Sequence, residues 1–263
     1  MKKHLRFIWT LLRMRLSHMM VFRLSFFGGF LADGTLFVVQ LLMFSALYGN
    51  VDTIGGWGKG EMLLFIGTFS LINAVNMMIY FFGILSIPGK IRTGDMDQYI
   101  TKPINPLMRI TFESIDLGAG VPLTLGSIGI IVYAAQFLPP VTPMRLLAYI
   151  ALLVLMFVLY YDMELILRTI PFFVISASNI ERIEGELLTL CMKIPGVFFQ
   201  RGFKVLFYTL LPYGIMATLP TQLFTGELGV WGFVYGTGIT VVFTVFAFVF
   251  WRVGLRHYKS PSS

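Results

Sequence analysis

The chain has 263 residues, of which 57% are hydrophobic and only 13% charged, against roughly 25% charged in an average soluble domain. A single soluble core of this length could not bury that much apolar surface, whereas lipid can take the place of part of a core. The composition therefore excludes an ordinary soluble enzyme and indicates an integral membrane protein. The formal net charge of +7 reflects the membrane topology given below, and we expect no nucleic-acid partner.

The segment 1–23 predicts an amphipathic helix lying in the membrane interface. Its cations Lys2, Arg6 and Arg13 fall beside an apolar stripe at helical spacing, a pattern typical of contact with anionic headgroups. The stripe consists of Leu5, Ile8, Trp9, Leu12, Leu16 and Met19. Because Arg15 interrupts it, a basic leader that only sets the topology explains the segment equally well.

Six stretches are long enough, or nearly so, to cross the hydrocarbon layer, which takes about 20 helical residues. They are predicted at 24–48, 62–86, 115–137, 144–167, 203–219 and 230–251. The predicted fold class is an all-α integral membrane protein with six transmembrane helices in one domain, 24–253, and a tail at 254–263. The fifth span is interrupted by Pro212, so a proline-broken segment is expected over 203–228.

The cations predict the orientation. In this topology only Lys59 and Arg145 lie on one side, so 18 of the 20 lysines and arginines lie on the other. Cytoplasmic loops carry such an excess. Both termini and the loop 87–111 are therefore predicted to be cytoplasmic, in a cytoplasmic (inner) membrane.

The loop 87–111 is the most distinctive part of the sequence. It holds three prolines, two glycines, an acidic pair and four cations between two apolar stretches. Asp95 is followed three residues later by Gln98, the spacing of a helix capping box. The pattern predicts a short helix over 95–101 that lies on the membrane face and ends before Pro103.

No motif for catalysis is present. The sequence lacks the phosphate-binding pattern G-x-x-x-x-G-K-[ST] and the zinc helix H-E-x-x-H. The single cysteine, Cys191, excludes an internal disulfide and a cysteine-based metal site. We expect the chain to bind no cofactor or metal and to catalyse nothing by itself.

Several polar side chains are predicted to lie inside the bilayer, where an unpaired ionisable group is expensive. They are Asp33, Asn73, Asn76, Asp116, Asp162 and Glu164. One interpretation is that they pair helices, as the i,i+4 spacing of Glu164 and Arg168 suggests. The other is that they line a substrate or gating path, and for Asp33 the two interpretations are evenly balanced.

Three motifs resemble those of a known family. They are IRxGxMDxYxxKPINPL at 91–107, a proline-punctuated segment at 195–226 and the ending FWRxGLRHYKS at 250–260. In this order they resemble ABC-2-type transporter permeases, in the subgroup of short six-span subunits of type V-like exporters. One departure is the Phe172–Phe173 pair, where an aromatic–Trp pair is expected.

The resemblance implies that the chain is the membrane half of an ATP-driven exporter. Such a subunit pairs with a second permease, identical or homologous, and with ATPase subunits that bind ATP and Mg. The loop would then be a coupling helix at 88–102 that docks on the ATPase. Its implied contact residues are Arg92, Asp95, Asp97, Tyr99 and Pro103. The many Phe, Met and Leu residues of the spans suit an amphipathic or hydrophobic substrate, and export of a drug, a lipid, a peptide or a glycan stays open.

Two other functions remain open from sequence. A gradient-driven secondary transporter would use Asp33, Asp116 or Asp162 as the ion carrier and would need no cytoplasmic lever. A membrane-embedded enzyme or assembly factor is disfavoured because no paired-carboxylate or metal motif is recognisable.

Overall fold

The computed structural model describes residues 51–174 and 178–260, together with eight positions between 35 and 49. This part of the chain is almost entirely helical and contains no strand apart from one isolated bridge between Ile54 and Trp57. The predicted interfacial helix at 1–23, most of the predicted first span and Asp33 lie outside the described residues.

Eleven α-helices lie within these described ranges. They are α1 (Lys59–Ile79), α2 (Phe81–Leu85), α3 (Ile87–Thr93), α4 (Asp97–Ile100), α5 (Pro106–Glu113), α6 (Leu117–Ala135), α7 (Pro143–Thr169), α8 (Ser178–Lys193), α9 (Arg201–Val205), α10 (Thr218–Thr225) and α11 (Val230–His257). Three are long and apolar enough to cross a membrane: α1, α11, and α7 with the turn that extends it to Phe172. The segments Arg201–Leu210 and Pro212–Thr225 form a bent pair, which is a fourth candidate span if the two segments are taken together. The apolar part of α6, Gly120–Ala135, is shorter than these spans.

The long apolar runs give helices close to those predicted. Helix α7 begins where Pro143 occupies the first turn and the Thr142 hydroxyl accepts a hydrogen bond from the Arg145 amide, 3.4 Å away. Helix α11 starts at the predicted residue and continues to His257, six residues beyond the predicted span. The predicted span 62–86 is wrong at its end, because the chain breaks at Tyr80 (φ −134°) and α2 follows as a separate helix.

Helices α1 and α7 run in the same direction, and α6 runs against them. The Thr68 and Tyr149 hydroxyls, both in the first halves of their helices, are 2.8 Å apart. Helix α6 is antiparallel because Gly120, near its start, lies against Met78, near the end of α1. We call the two ends of this bundle the Pro143 end and the Arg168 end, after the residues of α7 that lie there.

Helix α11 is parallel to α7. Gly236, in the second turn of α11, lies against Leu152, whereas Gly254 near its end lies against Thr169. Both helices therefore run from the Pro143 end to the Arg168 end. The chain between them, residues 173–229, must return across the bundle once.

Helix α8 makes that return. Arg168 pairs with Glu184 in its first half, with 2.7 Å between Nη1 and Oε2. Five residues after α8, the Phe198 ring lies 6.3 Å from the ring of Trp57, which precedes α1 at the Pro143 end. Sixteen helical residues cover about 24 Å, enough for most of a hydrocarbon layer.

In the predicted topology, residues 168–202 connect the fourth and fifth spans on the same side as 87–111. The course of α8 shows that this prediction is wrong. Hydropathy does not identify α8, because its first half carries four charged residues: Glu181, Arg182, Glu184 and Glu186. As a further consequence, Lys193, Arg201 and Lys204 lie toward the Pro143 end, so the cation split is less extreme than 18 to 2.

The segment predicted as the fifth span is bent rather than straight. Its two arms, Arg201–Leu210 and Pro212–Thr225, meet at 84°. The first arm ends in a wide helical turn at Leu206–Leu210, and the second begins with a tight turn at Pro212–Ile215. The break coincides with Pro212, which has no amide hydrogen to continue the helix.

The first arm starts at the Pro143 end, and the second arm finishes there. Before the first arm lies Phe198, next to Trp57. After the second arm, Gly226 lies against the Arg145 guanidinium, and the Trp57 indole nitrogen donates to the Glu227 carboxylate at 3.3 Å. The segment therefore enters the bundle and leaves it on the same side, as a re-entrant hairpin.

Two hydrophobic clusters hold the described helices together. The larger one joins α1, α7, α8 and the hairpin through the middle of the bundle. The smaller one lies at the Arg168 end and joins α3, α4 and α5 to the ends of α7 and α11. The second cluster fixes the polar loop singled out from the sequence against the membrane helices.

Candidate functional site

The first part of the loop, residues 87–100, folds as two short helices rather than one. Helices α3 and α4 are separated by Gly94, whose left-handed conformation (φ 83°) ends α3. The predicted cap at Asp95 is wrong: the residue before α4 is Met96, and no side chain caps this helix. Asp95 instead accepts a hydrogen bond from the Thr93 hydroxyl at 2.6 Å, which tightens the turn between the two helices.

Helix α5 follows and supplies the rest of the loop. Asn105 caps it, accepting from the Leu107 and Met108 amides at 2.9 and 3.3 Å, and Pro106 occupies its first turn. The helix ends at Glu113, two residues before the predicted third span. Glu113 thus belongs to the loop and not to the membrane helix α6.

Tyr99 is the centre of this loop. Its hydroxyl donates to Glu113 at 2.7 Å, and the Lys90 ammonium lies 2.7 Å from the same carboxylate. The charged ends of Lys90 and Arg109 lie 5.0 and 4.3 Å from the ring centroid of Tyr99, within the range of cation–π attraction. Burial and the Glu113 carboxylate raise the pKa of Tyr99, so the tyrosine stays neutral and remains a donor.

The loop is also tied to the end of the chain. The Ser260 hydroxyl donates to the Asp97 carboxylate at 2.6 Å. Tyr258, two residues earlier, packs edge-on against Phe172 with 6.0 Å between ring centroids. Burial and the nearby Asp97 carboxylate raise the pKa of Tyr258. Asp97 therefore contacts the segment after α11 and, through it, the end of α7.

From the exposed residues of the loop we select five and call them the loop face: Arg92, Asp95, Gln98, Ile100 and Pro103. Ile100 is 43% exposed, whereas its neighbour Tyr99 is only 8% exposed. The structure thus separates the predicted contact residues into two groups. Arg92, Asp95 and Pro103 are exposed, but Tyr99 is turned inward and Asp97 is half-buried. Sequence reasoning missed Ile100, because an isoleucine beside a membrane helix gives no signal of exposure.

The predicted intramembrane polar residues are spread over the bundle. Asn73 accepts a hydrogen bond from the Tyr160 hydroxyl at 3.4 Å. Asn76 is fully buried, and its side-chain amide has no hydrogen-bond partner among the described residues. Asp116 lies between α5 and α6, where its carboxylate accepts from the Gly118 amide at 2.9 Å. These positions do not form one cluster.

A buried ion network lies at the Arg168 end. Arg168 pairs with Glu184 and, at 3.4 Å, with Glu164, as the i,i+4 spacing predicted. The Tyr213 hydroxyl, at the tip of the re-entrant hairpin, donates to Glu184 at 3.0 Å. Both carboxylates and the guanidinium are buried. Sequence reasoning missed Glu184, because its partner lies 16 residues away on another helix.

Asp162 is separate from this network. It is fully buried, and its Oδ2 accepts a hydrogen bond from the Thr244 hydroxyl of α11 at 2.5 Å. Its other oxygen, Oδ1, has no hydrogen-bond partner in the described part of the chain. Asp162 therefore joins α7 to α11 with only half of its hydrogen-bonding capacity.

Within the described residues, no group of three or more histidine, cysteine or acidic side chains is arranged to hold a metal ion.

In comparisons with known proteins, a family model described as ABC-2 family transporter protein matches residues 35–262. Neither the search of curated proteins nor the search of solved structures gave a match.

Proposed function

Because the chain belongs to the ABC-2 family of transporter proteins, as its motifs indicated, we propose that it is the permease subunit of an ATP-driven exporter. Its apolar helices and its family make it a multi-pass membrane transport protein. The finer proposal is that it forms the translocation path with a second permease and is driven by separate ABC ATPase subunits that bind ATP and Mg. The single observation that carries this proposal is the loop face.

The loop face has the anatomy of a docking surface. It combines an exposed apolar side chain, Ile100, with the charges of Arg92 and Asp95. Protein interfaces commonly place such an apolar anchor inside a polar rim. Beneath it, the pairing of Tyr99 with Lys90 and Glu113 keeps the surface in one shape, and a preorganised surface loses less entropy on binding.

The loop is also placed to pass movement into the membrane. Helices α3 and α4 share the smaller hydrophobic cluster with the ends of α7 and α11. A displacement of the loop face therefore moves residues such as Ile87 and Trp251 that are packed in that cluster. We therefore propose that the coupling element is the unit formed by α3, α4 and α5. It replaces the single coupling helix that the resemblance implied at 88–102.

The proposal places the Arg168 end in the cytoplasm. Among described cations, nine lie at or toward that end and five at or toward the Pro143 end, by the helix directions given above. The bias has the sign that the positive-inside rule requires. The proposed localisation is a cytoplasmic membrane, with the loop and the C-terminal residues on the ATPase side.

Gradient-driven transport remains the rival function. Asp116 caps the start of α6 and Asp162 bonds to α11, so each has a structural partner. Asp33 lies outside the described residues, and a direct role for it stays a prediction.

Purification of the tagged chain in mild detergent tests the proposal. We expect an ABC ATPase to co-purify and the preparation to hydrolyse ATP, because the chain itself carries no phosphate-binding motif. A monodisperse chain that purifies alone, and whose transport survives ATP depletion but stops with an uncoupler, would contradict it.

A further inference from the structure

An unassigned cavity lies beside the coupling loop. Its volume is about 440 Å³, and its walls come from α1, α5, α7 and α11. Ligand pockets in proteins commonly measure about 300–1,000 Å³. The cavity is therefore large enough for a small organic molecule.

The one charged side chain among the described lining residues of this cavity is the carboxylate of Asp162. Asp162 is the only ionisable acid or base among the described lining residues except for two tyrosines, and no lysine or arginine lines it. The aromatic lining consists of Tyr80, Phe112, Phe157, Tyr161 and Phe248. Aromatic faces attract cations, and most strongly where water is excluded.

Asp162 supplies the second, independent observation. It is fully buried, yet Oδ1 has no hydrogen-bond partner among the described residues. A role as interhelical partner accounts for Oδ2, which bonds to Thr244, and leaves Oδ1 unexplained. A buried carboxylate with spare capacity at the wall of an aromatic cavity is suited to a cationic ligand.

We infer that this cavity binds an amphipathic organic cation, with Asp162 as its counter-ion and the aromatic walls around its apolar body. This inference rests on the proposed transport function and names the substrate class. A ligand here would also touch Leu107 and Met108 of α5, the helix that carries Glu113. A bound ligand would thus be in direct contact with α5, which belongs to the proposed coupling element.

Two probes of matched shape and opposite charge test the inference: tetraphenylphosphonium and tetraphenylborate. Binding of each is measured to the full chain, with any co-purifying ATPase, in lipid nanodiscs without nucleotide. We expect tetraphenylphosphonium to bind more tightly, and Asp162→Asn to weaken its binding by about tenfold or more, because a buried charge pair is lost. Binding of tetraphenylborate should be no weaker in Asp162→Asn than in the unmodified chain.

The matched control is Thr244→Val, which removes the bond to Asp162 and keeps the carboxylate. It should bind tetraphenylphosphonium within about threefold of the unmodified chain, since the pair with the cation persists. A second variant, Val158→Trp, fills the cavity from a partly exposed lining position and should also reduce binding. If Asp162→Asn fails to accumulate, the binding of tetraphenylphosphonium to Val158→Trp tests whether the ligand occupies this cavity.

Equal binding of both ions would overturn the inference, since the cavity would then take apolar molecules regardless of charge. Equal losses in Thr244→Val and Asp162→Asn would overturn it too, as would unchanged binding in Val158→Trp. ATPase co-purification, measured on the same preparations, reports separately on the proposed function. Its failure with intact cation binding would reject ATP coupling and leave the site standing.

Discussion

Arg168→Met is expected to cause a large loss of folded protein from the membrane. Arg168 is buried between two buried carboxylates, Glu184 at 2.7 Å and Glu164 at 3.4 Å. Removing one partner of a buried pair typically costs about 3–5 kcal/mol, because the remaining charge is left without compensation. The measurement is the yield and detergent-solubilised thermal stability of the variant.

The control is Arg182→Met, which makes the same change at an exposed position of α8 and should leave yield and stability nearly unchanged. A second comparison isolates charge from packing. The triple variant Arg168→Met, Glu164→Gln, Glu184→Gln contains no unpaired charge, so it should recover part of the lost stability. A triple variant no better than Arg168→Met would show that the guanidinium matters through packing, and a stable Arg168→Met would mean that the network does not hold α8 in place.

Gly83→Ala is expected to separate the loop from the bundle. A Cβ atom at Gly83 would lie 2.0 Å from the Ile110 carbonyl oxygen, and because this atom is backbone, helix α5 would have to move. Overpacking of this kind typically costs about 1–3 kcal/mol. We expect a lower melting temperature and weaker association with the ATPase, since α5 carries Arg109 and Glu113.

The loop offers a matched control for this substitution. Gly89 lies in α3, and a Cβ atom there would meet nothing within 4 Å. Gly89→Ala should be neutral or stabilising by up to about 1 kcal/mol, because alanine is the better helix former. If both variants behaved alike, the close contact between α2 and α5 would not be what positions the loop.

The sequence predicted best those helices that its apolar runs define directly. The predicted spans 144–167 and 230–251 agree with α7 and α11 except for terminal residues, because lipid-facing helices must be continuously apolar. The prediction for 115–137 located helix α6, whose apolar part, Gly120–Ala135, is shorter than the other candidate spans. The i,i+4 pair of Glu164 and Arg168 was also predictable, since both residues lie on one helix.

Helix α8 and the re-entrant hairpin were not predictable by the same reasoning. Helix α8 buries its carboxylate Glu184 against a partner on another helix, so its composition resembles that of a surface helix. The hairpin is apolar because its tip, at Tyr213, is enclosed by protein, and so it imitates a span. Hydropathy cannot distinguish burial in protein from burial in lipid.

In the loop, too, some features could be predicted from the sequence and others could not. Its prolines and charges identified it as a structured element. Arg92 and Asp95 are exposed, and their contact role stays a prediction. The inward position of Tyr99 depends on Lys90, Arg109 and Glu113 meeting around it, which local spacing does not determine. Tyr99→Ala is therefore a poor test of docking, because it would disturb the fold of the loop.

The most direct test of the central claim is ATPase binding by a variant of the loop face. Arg92→Ala, Asp95→Ala and Ile100→Ala are combined in one chain, and Asp52→Ala, an exposed position at the Pro143 end, serves as the control. Because the three side chains are exposed and belong to neither hydrophobic cluster, the variant should accumulate and melt like the unmodified chain. Truncating side chains central to an interface typically costs about 2 kcal/mol or more, so we predict that the variant loses the co-purifying ABC ATPase while Asp52→Ala retains it. Full retention of the ATPase by a normally folded triple variant would contradict the account.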